Sequence, residues 1–169
     1  MAAESTSFVQ NRWMTMPSAL WTFTLDFYAR PGIEQACLTL QSRGANVCAL
    51  LCGVWLAQRG VECSHQRVQE IGQLATPWHA SVVTPLRELR TRWKKQSAGD
   101  EQWERLRDQL KGLELEAEHE LLRRLEALTQ GWPRQDAHDA YAWLNELAGA
   151  AACEHHDAQQ ALRVMASFV

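Results

Sequence analysis

The sequence has no stretch in which apolar and polar residues alternate with the period of two of a half-buried strand, so a β-rich fold is excluded. It has no basic excess. Seventeen Lys and Arg against twenty Asp and Glu leave a net charge of −3, unlike a chain that coats nucleic acid by charge alone. Its five cysteines are odd in number and never spaced Cys-x-x-Cys. Cys37, Cys48 and Cys52 lie among apolar residues, where a free thiol packs as a small hydrophobe, so unpaired thiols and a reducing compartment are expected. The longest apolar run, residues 47–57, has eleven positions, well short of the ~20 that span a bilayer. Residues 1–14 show no basic region followed by an apolar stretch, so no signal peptide is read and a soluble, cytoplasmic protein is expected. The Gly-x-Ser-x-Gly, P-loop, Gly-x-Gly-x-x-Gly and His-Glu-x-x-His signatures are all missing, which removes the commonest hydrolase, nucleotide and metalloprotease readings.

What is present is helix. The 169 residues suit a single domain that buries roughly 70% of its unfolded surface without a disulfide or metal staple. Residues 1–16 read as a loose lead-in, residues 18–75 as a dry helical core, 77–128 as a charged helical hairpin, and 136–169 as C-terminal helices. Ser18 caps the first helix. Pro31 opens the second, whose Ile33, Ala36, Cys37 and Leu40 form one stripe. Asn46 caps the apolar run, which has no charge between residues 47 and 57 and therefore no solvent face; it should be the hub of the core. Ser64 opens a fourth helix. Thr76-Pro77 reads as the cap and first position of a fifth, with Trp78, Val82, Leu86, Leu89 and Trp93 inward and Pro85 as a bend. Beyond a connector at residues 97–100, Trp103, Leu106, Leu110, Leu113, Ala117, Leu121, Leu125 and Leu128 mark a long helix folding back as an antiparallel hairpin. Asp136 caps the next helix, and Leu162, Met165 and Phe168 mark the last. The expected fold is an all-α bundle of seven to eight helices.

The eight tryptophans are distributed mostly along these packing faces, and only Trp13 has no structural place. Charge is distributed unevenly. Residues 1–85 hold five basic and five acidic side chains, residues 86–169 twelve and fifteen, so the second half is the more solvated.

No group of side chains converges on a reaction. Glu116-x-x-His119 is half of a di-metal motif, and its second copy is missing. Cys153 followed by Glu154, His155, His156 and Asp157 offers metal-type ligands, but neighbours on a helix point about 100° apart, so a helix start with acids at its positive end explains them better. Cys63, beside Ser64 and His65 just before a helix N-terminus, is the best-placed thiol, although a turn cysteine explains it equally. No catalytic residue, metal or cofactor is therefore expected. Arg87, Arg90, Arg92, Lys94 and Lys95, interleaved with Trp93, form a basic patch near the hairpin tip that could grip phosphate or an acidic partner. Asp100, Glu101, Glu104 and Asp108 follow across the turn, so the blander expectation is self-neutralisation.

Leu20-Trp21-x-Phe23, then Tyr28-Ala29-Arg30-Pro31-Gly32-Ile33-Glu34-x-Ala36-Cys37-Leu38-x-Leu40-Gln41, Gly44-Ala45-Asn46-Val47 and Leu50-Leu51-Cys52-x-x-Trp55-Leu56-Ala57 resemble a family of small, mostly proteobacterial proteins of unknown function. Residues 20–60 carry the likeness. It implies a cytoplasmic bacterial protein and supplies no activity. Most of the motif is scaffold, with Tyr28, Gln41 and Asn46 its polar members.

Three functions fit these readings. The first is a non-enzymatic adaptor or regulator that presents the charged hairpin to a protein partner. The second is a binder of, or enzyme for, a small apolar ligand, with a pocket among the first three helices lined by Trp21, Tyr28, Gln41 and Trp55. The third is RNA or ribosome association through the patch from Arg87 to Lys95.

Overall fold

A computed structural model describes residues 18–169, and every regular element in that span is helical. The lead-in at residues 1–16, with Trp13, lies outside the described residues. The helices are α1 (Ala19–Tyr28), α2 (Ile33–Ser42), α3 (Val47–Gln58), α4 (His65–Trp78), α5 (Thr84–Arg92), α6 (Glu101–Thr129), α7 (Ala140–Ala148), the short α8 (Ala150–Cys153) and α9 (His156–Ala166). Their starts follow from capping side chains. Ser18, Asn46 and Ser64 accept from the amides of Trp21, Ala49 and Arg67, each closing an otherwise open first turn. At α2 the turn is made instead by Gly32, whose φ of 81° a side chain would resist, and the helix begins at Ile33 rather than at Pro31. Asp139, not Asp136, caps α7.

The uncharged run forms α3, in which ten consecutive residues, Cys48 through Ala57, are buried. Around it the core divides into two contiguous clusters. One joins α1 and α2 to α7 and α9 through Phe27, Ile33, Leu40, Leu50, Leu144 and Met165. The other joins α3 to α4 and α6 through Leu56, Ile71, Leu121, Leu125 and Trp143. Trp143 is fully buried, donates its indole N–H to the Val61 carbonyl, and stacks on Trp132. The linker after α6 is bound to the loop after α3 by Gln135 N–H on Gly60 O and to the end of α3 itself by His138 Nδ1 on Ala57 O.

Two expectations fail in the same region. Thr76-Pro77 starts no helix. The chain stays helical from α4 into α5 through a wide π turn at His79–Val83, in which the Thr84 amide reaches back to the His79 carbonyl. Pro85, which has no N–H and would crowd the carbonyl one turn back, follows directly, and the extra residue in the turn accommodates it. The insertion rotates everything after it by about 100°. Val83 is therefore buried where Val82 was expected, and α5 has no fully buried side chain at all.

The second failure lies in α6. Its inward line runs Trp103, Arg107, Leu110, Glu114, Ala117, Leu121, so Arg107 and Glu114 take the places expected for Leu106 and Leu113, which are 43% and 49% exposed. The facing residues of α5 give the reason: Arg87 and Arg90 need an acid there, and the Arg90 carbonyl needs a donor.

Candidate functional site

Beyond the bundle, among the described residues, α5 and the first half of α6 lie mainly against each other. The contacts climb one helix as they descend the other. The Trp78 indole donates to the Ala117 carbonyl at 2.9 Å, Arg87 and Arg90 hold Glu114, Arg107 donates to the Arg90 carbonyl at 3.1 Å, and Trp93 meets Trp103 edge to face at 5.2 Å. Asp100 caps α6 by accepting from the Gln102 and Trp103 amides.

Glu114 is the centre of this contact. Its carboxylate receives Arg87 Nε at 2.8 Å and Arg90 Nε at 2.6 Å, while Arg87 Nη2 reaches Glu118 at 2.7 Å. Burial pushes the Glu114 carboxyl up, but the two guanidinium groups outweigh it and hold it below the ordinary carboxylate value. Glu118 shifts the other way: burial, with Glu114 nearby, raises it in spite of Arg87. His79 in the π turn is lowered by burial and by the Arg87 charge, and its Nδ1 lies 3.3 Å from the Thr84 hydroxyl. Two cations on two carboxylates form a clamp that ties the two helices in register.

The basic patch is therefore divided. Arg87 and Arg90 are turned inward to Glu114 and Glu118, not to Asp100, Glu101, Glu104 or Asp108 as the order along the chain implied. Arg92, Lys94 and Lys95 are exposed at the tip, and among the described residues none of them forms an ion pair. Asp108 is joined to Lys111 on its own helix.

The four residues expected to line a pocket are dispersed. Trp21 stacks on His119 of α6 at 4.3 Å, so the half-buried His119 packs one side against an indole. Trp55 is buried under the Arg59 guanidinium, 4.3 Å from its ring centre. Both belong to the core cluster around α6, whereas Tyr28 packs against the other, where burial raises its hydroxyl to about 12. Gln41 is half-buried near the end of α2. Two surface grooves involve other residues. One of 400 Å³ lies between the start of α4 and Trp132, lined by Glu62, Ser64, Gln66, Arg67 and Glu70; Arg67 already covers the indole, and Gln66 holds Glu70. The other, of 570 Å³, runs along Glu101, Glu104, Arg105, Asp108 and Gln109.

Two of the remaining candidates, Cys63 and Asp157, have surroundings that account for them. Cys63 is raised to about 11, chiefly by burial, the opposite of what a nucleophilic thiol needs. Asp157 receives Arg43 at 2.9 Å and the Ala158 amide, which ties α9 to the end of α2.

A family described as a protein of unknown function, DUF2390, matches residues 19–125. The chain belongs to this family. No curated protein and no solved structure matches it. The matched span runs from α1 through most of α6, so the α5–α6 clamp falls inside the DUF2390 region together with the motif at residues 20–60. The helices α7 to α9 lie outside it, yet they supply Trp143, Leu144 and Met165 to the core.

Leu106 and Leu113, the largest apolar exposures in this region along with Leu115, were expected inward and so were missed as surface. A signal for them existed. The spacing Trp103, Arg107, Leu110, Glu114, Ala117, Leu121 is as regular a heptad line as the leucine one, and it places an acid opposite Arg87 and Arg90.

Proposed function

We propose that this protein is a non-enzymatic interaction module, an adaptor or regulator that presents the projecting α5–α6 pair to a protein partner. One observation carries the reading: α5 buries no side chain completely, and α6 keeps Leu106 and Leu113 nearly half exposed, although a guanidinium–carboxylate clamp holds the pair rigid. Side chains that contribute so little to the core, on helices fixed so firmly, describe a surface built to be met. The dispersal of Trp21, Tyr28, Gln41 and Trp55 gives the ligand-pocket reading no specific support. Phosphate contact retains only Arg92, Lys94 and Lys95, because Arg87 and Arg90 are occupied.

The test is affinity capture from cells of its source with the intact chain and with L106E/L113E, followed by direct binding of the purified captured protein. Binding that the double variant loses, while its circular dichroism stays native, supports the adaptor. Binding that survives the double variant but disappears with Arg92, Lys94 and Lys95 neutralised, and falls steeply with salt, replaces it with a phosphate-directed role. In all described residues no helix is long and apolar enough to cross a membrane.

A further inference from the structure

The chain is anchored up to Val83 and then changes its mode of attachment. Ile71, Ala75 and Val83 are buried, and Trp78 donates its indole N–H to the Ala117 carbonyl beneath the Arg124 guanidinium. From Thr84 to Arg92, among the described residues, no side chain is buried, and Leu86 and Leu89 are only half-buried. Every other described helix of eight residues or more buries at least two side chains. What joins α5 to α6 is chiefly charge. Arg87 reaches Glu114 at 2.8 Å and Glu118 at 2.7 Å, Arg90 reaches Glu114 at 2.6 Å, and Arg107 donates to the Arg90 carbonyl at 3.1 Å. At the tip the Trp93–Trp103 contact adds an aromatic tie.

The change falls at a joint in the backbone. The π turn at His79–Val83 separates the anchored segment from α5, and the Thr84 amide reaches the His79 carbonyl, one residue further back than in an α turn. Pro85 follows with no N–H to give, so the helix lacks a hydrogen bond close to the point where burial stops.

We infer that α5 is a strap, with the π turn as its hinge and the Arg87–Arg90–Glu114–Glu118 clamp as its latch, and that it opens from α6 while the bundle stays folded. Segments with little buried apolar surface open locally at a lower free energy than the whole chain unfolds. The clamp makes the closed pair rigid, and it is therefore also the place where the rigidity is withdrawn. The strap works with or without a partner. A protein that binds only the closed pair adds to the latch and slows the opening.

Native-state hydrogen exchange on the full chain tests it. Amides of residues 88–92 in α5 should exchange at least ~100-fold faster than those of residues 51–57 in α3. Exchange in α5 should depend little on low urea, because an opening strap exposes little surface, whereas exchange in α3 should rise steeply, as unfolding of the whole chain does. Ile33→Val, in the core cluster between α2 and α9, should speed exchange in α3 roughly fivefold by destabilising the bundle and leave α5 unchanged. Glu114→Gln should speed exchange in α5 by roughly 10–50-fold, since both guanidinium groups lose their shared carboxylate. Equal protection and equal urea dependence in α5 and α3 overturn the inference. So does an Ile33→Val effect of the same size in both helices, or exchange in α5 that Glu114→Gln leaves unchanged.

Discussion

The sharpest test of the α5–α6 contact compares neighbours on α6, Glu114→Gln with Leu113→Ala. Glu114 is 8% exposed and is held by guanidinium groups whose side chains are only 17% and 24% exposed. The amide keeps the shape but removes the charge. Each charge-assisted hydrogen bond is worth ~1.5–3 kcal/mol when intact, and a fully buried pair with one partner deleted costs ~3–5 kcal/mol. Partial solvation of the arginines and the surviving Arg87–Glu118 bridge reduce this to about 2 kcal/mol. Leu113 is 49% exposed, so trimming it to Ala costs no more than about 0.5 kcal/mol, whereas a buried leucine would cost ~2–5 kcal/mol. Urea denaturation followed by tryptophan fluorescence measures both. In a chain of this length 2 kcal/mol corresponds to a fall in Tm of roughly 4–8 °C. Near-ultraviolet dichroism of the Trp93–Trp103 pair should weaken with Glu114→Gln and not with Leu113→Ala. The opposite order, with Leu113→Ala the more damaging, would return α6 to the leucine register and refute the clamp.

Other measurements reach different parts of the molecule. Gly60 has a φ of +76°, and a Cβ there would run into the Gln135 carbonyl oxygen, so Gly60→Ala must displace the linker; thermal melting should show a loss of at least ~2 kcal/mol, and a silent variant would contradict the docking of that linker. Native thiol titration should find Cys153 fast and Cys63 slow, with Cys37, Cys48 and Cys52 inert until denaturant is added, since burial raises all three and Cys37 to about 12. Acid should also act through Glu114. Its folded-state value lies below the ordinary 4.5, so the stability it confers is complete above 4.5 and is lost as the pH falls through the lower folded value. The difference in stability between the native chain and Glu114→Gln should therefore shrink on acidification below pH 4.5; a constant difference would mean that the carboxylate is not what the arginines hold.

Where the sequence could be read and where it could not has one physical cause. The bundle is legible because its signals are local and agree with one another. Ser18, Asn46 and Ser64 cap the helices they were expected to cap, and an uncharged eleven-residue run has no choice but the interior. The α5–α6 pair is less legible because two of its determinants oppose the local rules. Thr76-Pro77 carries a start signal, yet the packing of Ile71 and Ala75 on one side and Val83 on the other keeps the helix continuous. The π turn accommodates Pro85, and periodicity counted through it with 3.6 residues per turn picks Val82 as the inward residue where Val83 is the buried one. On α6 the error is different in kind. Leucine at residues 106 and 113 is the greasier choice, and a reading by hydrophobicity takes it, but Arg87 and Arg90 must go somewhere and only Glu114 satisfies both. Pairing two cations with a carboxylate between half-buried helices outweighs hiding two leucines, because an unpaired charge there costs more than apolar surface left in water. The leucines so displaced form the exposed surface, which makes the failed periodicity and the candidate site consequences of the same two arginines.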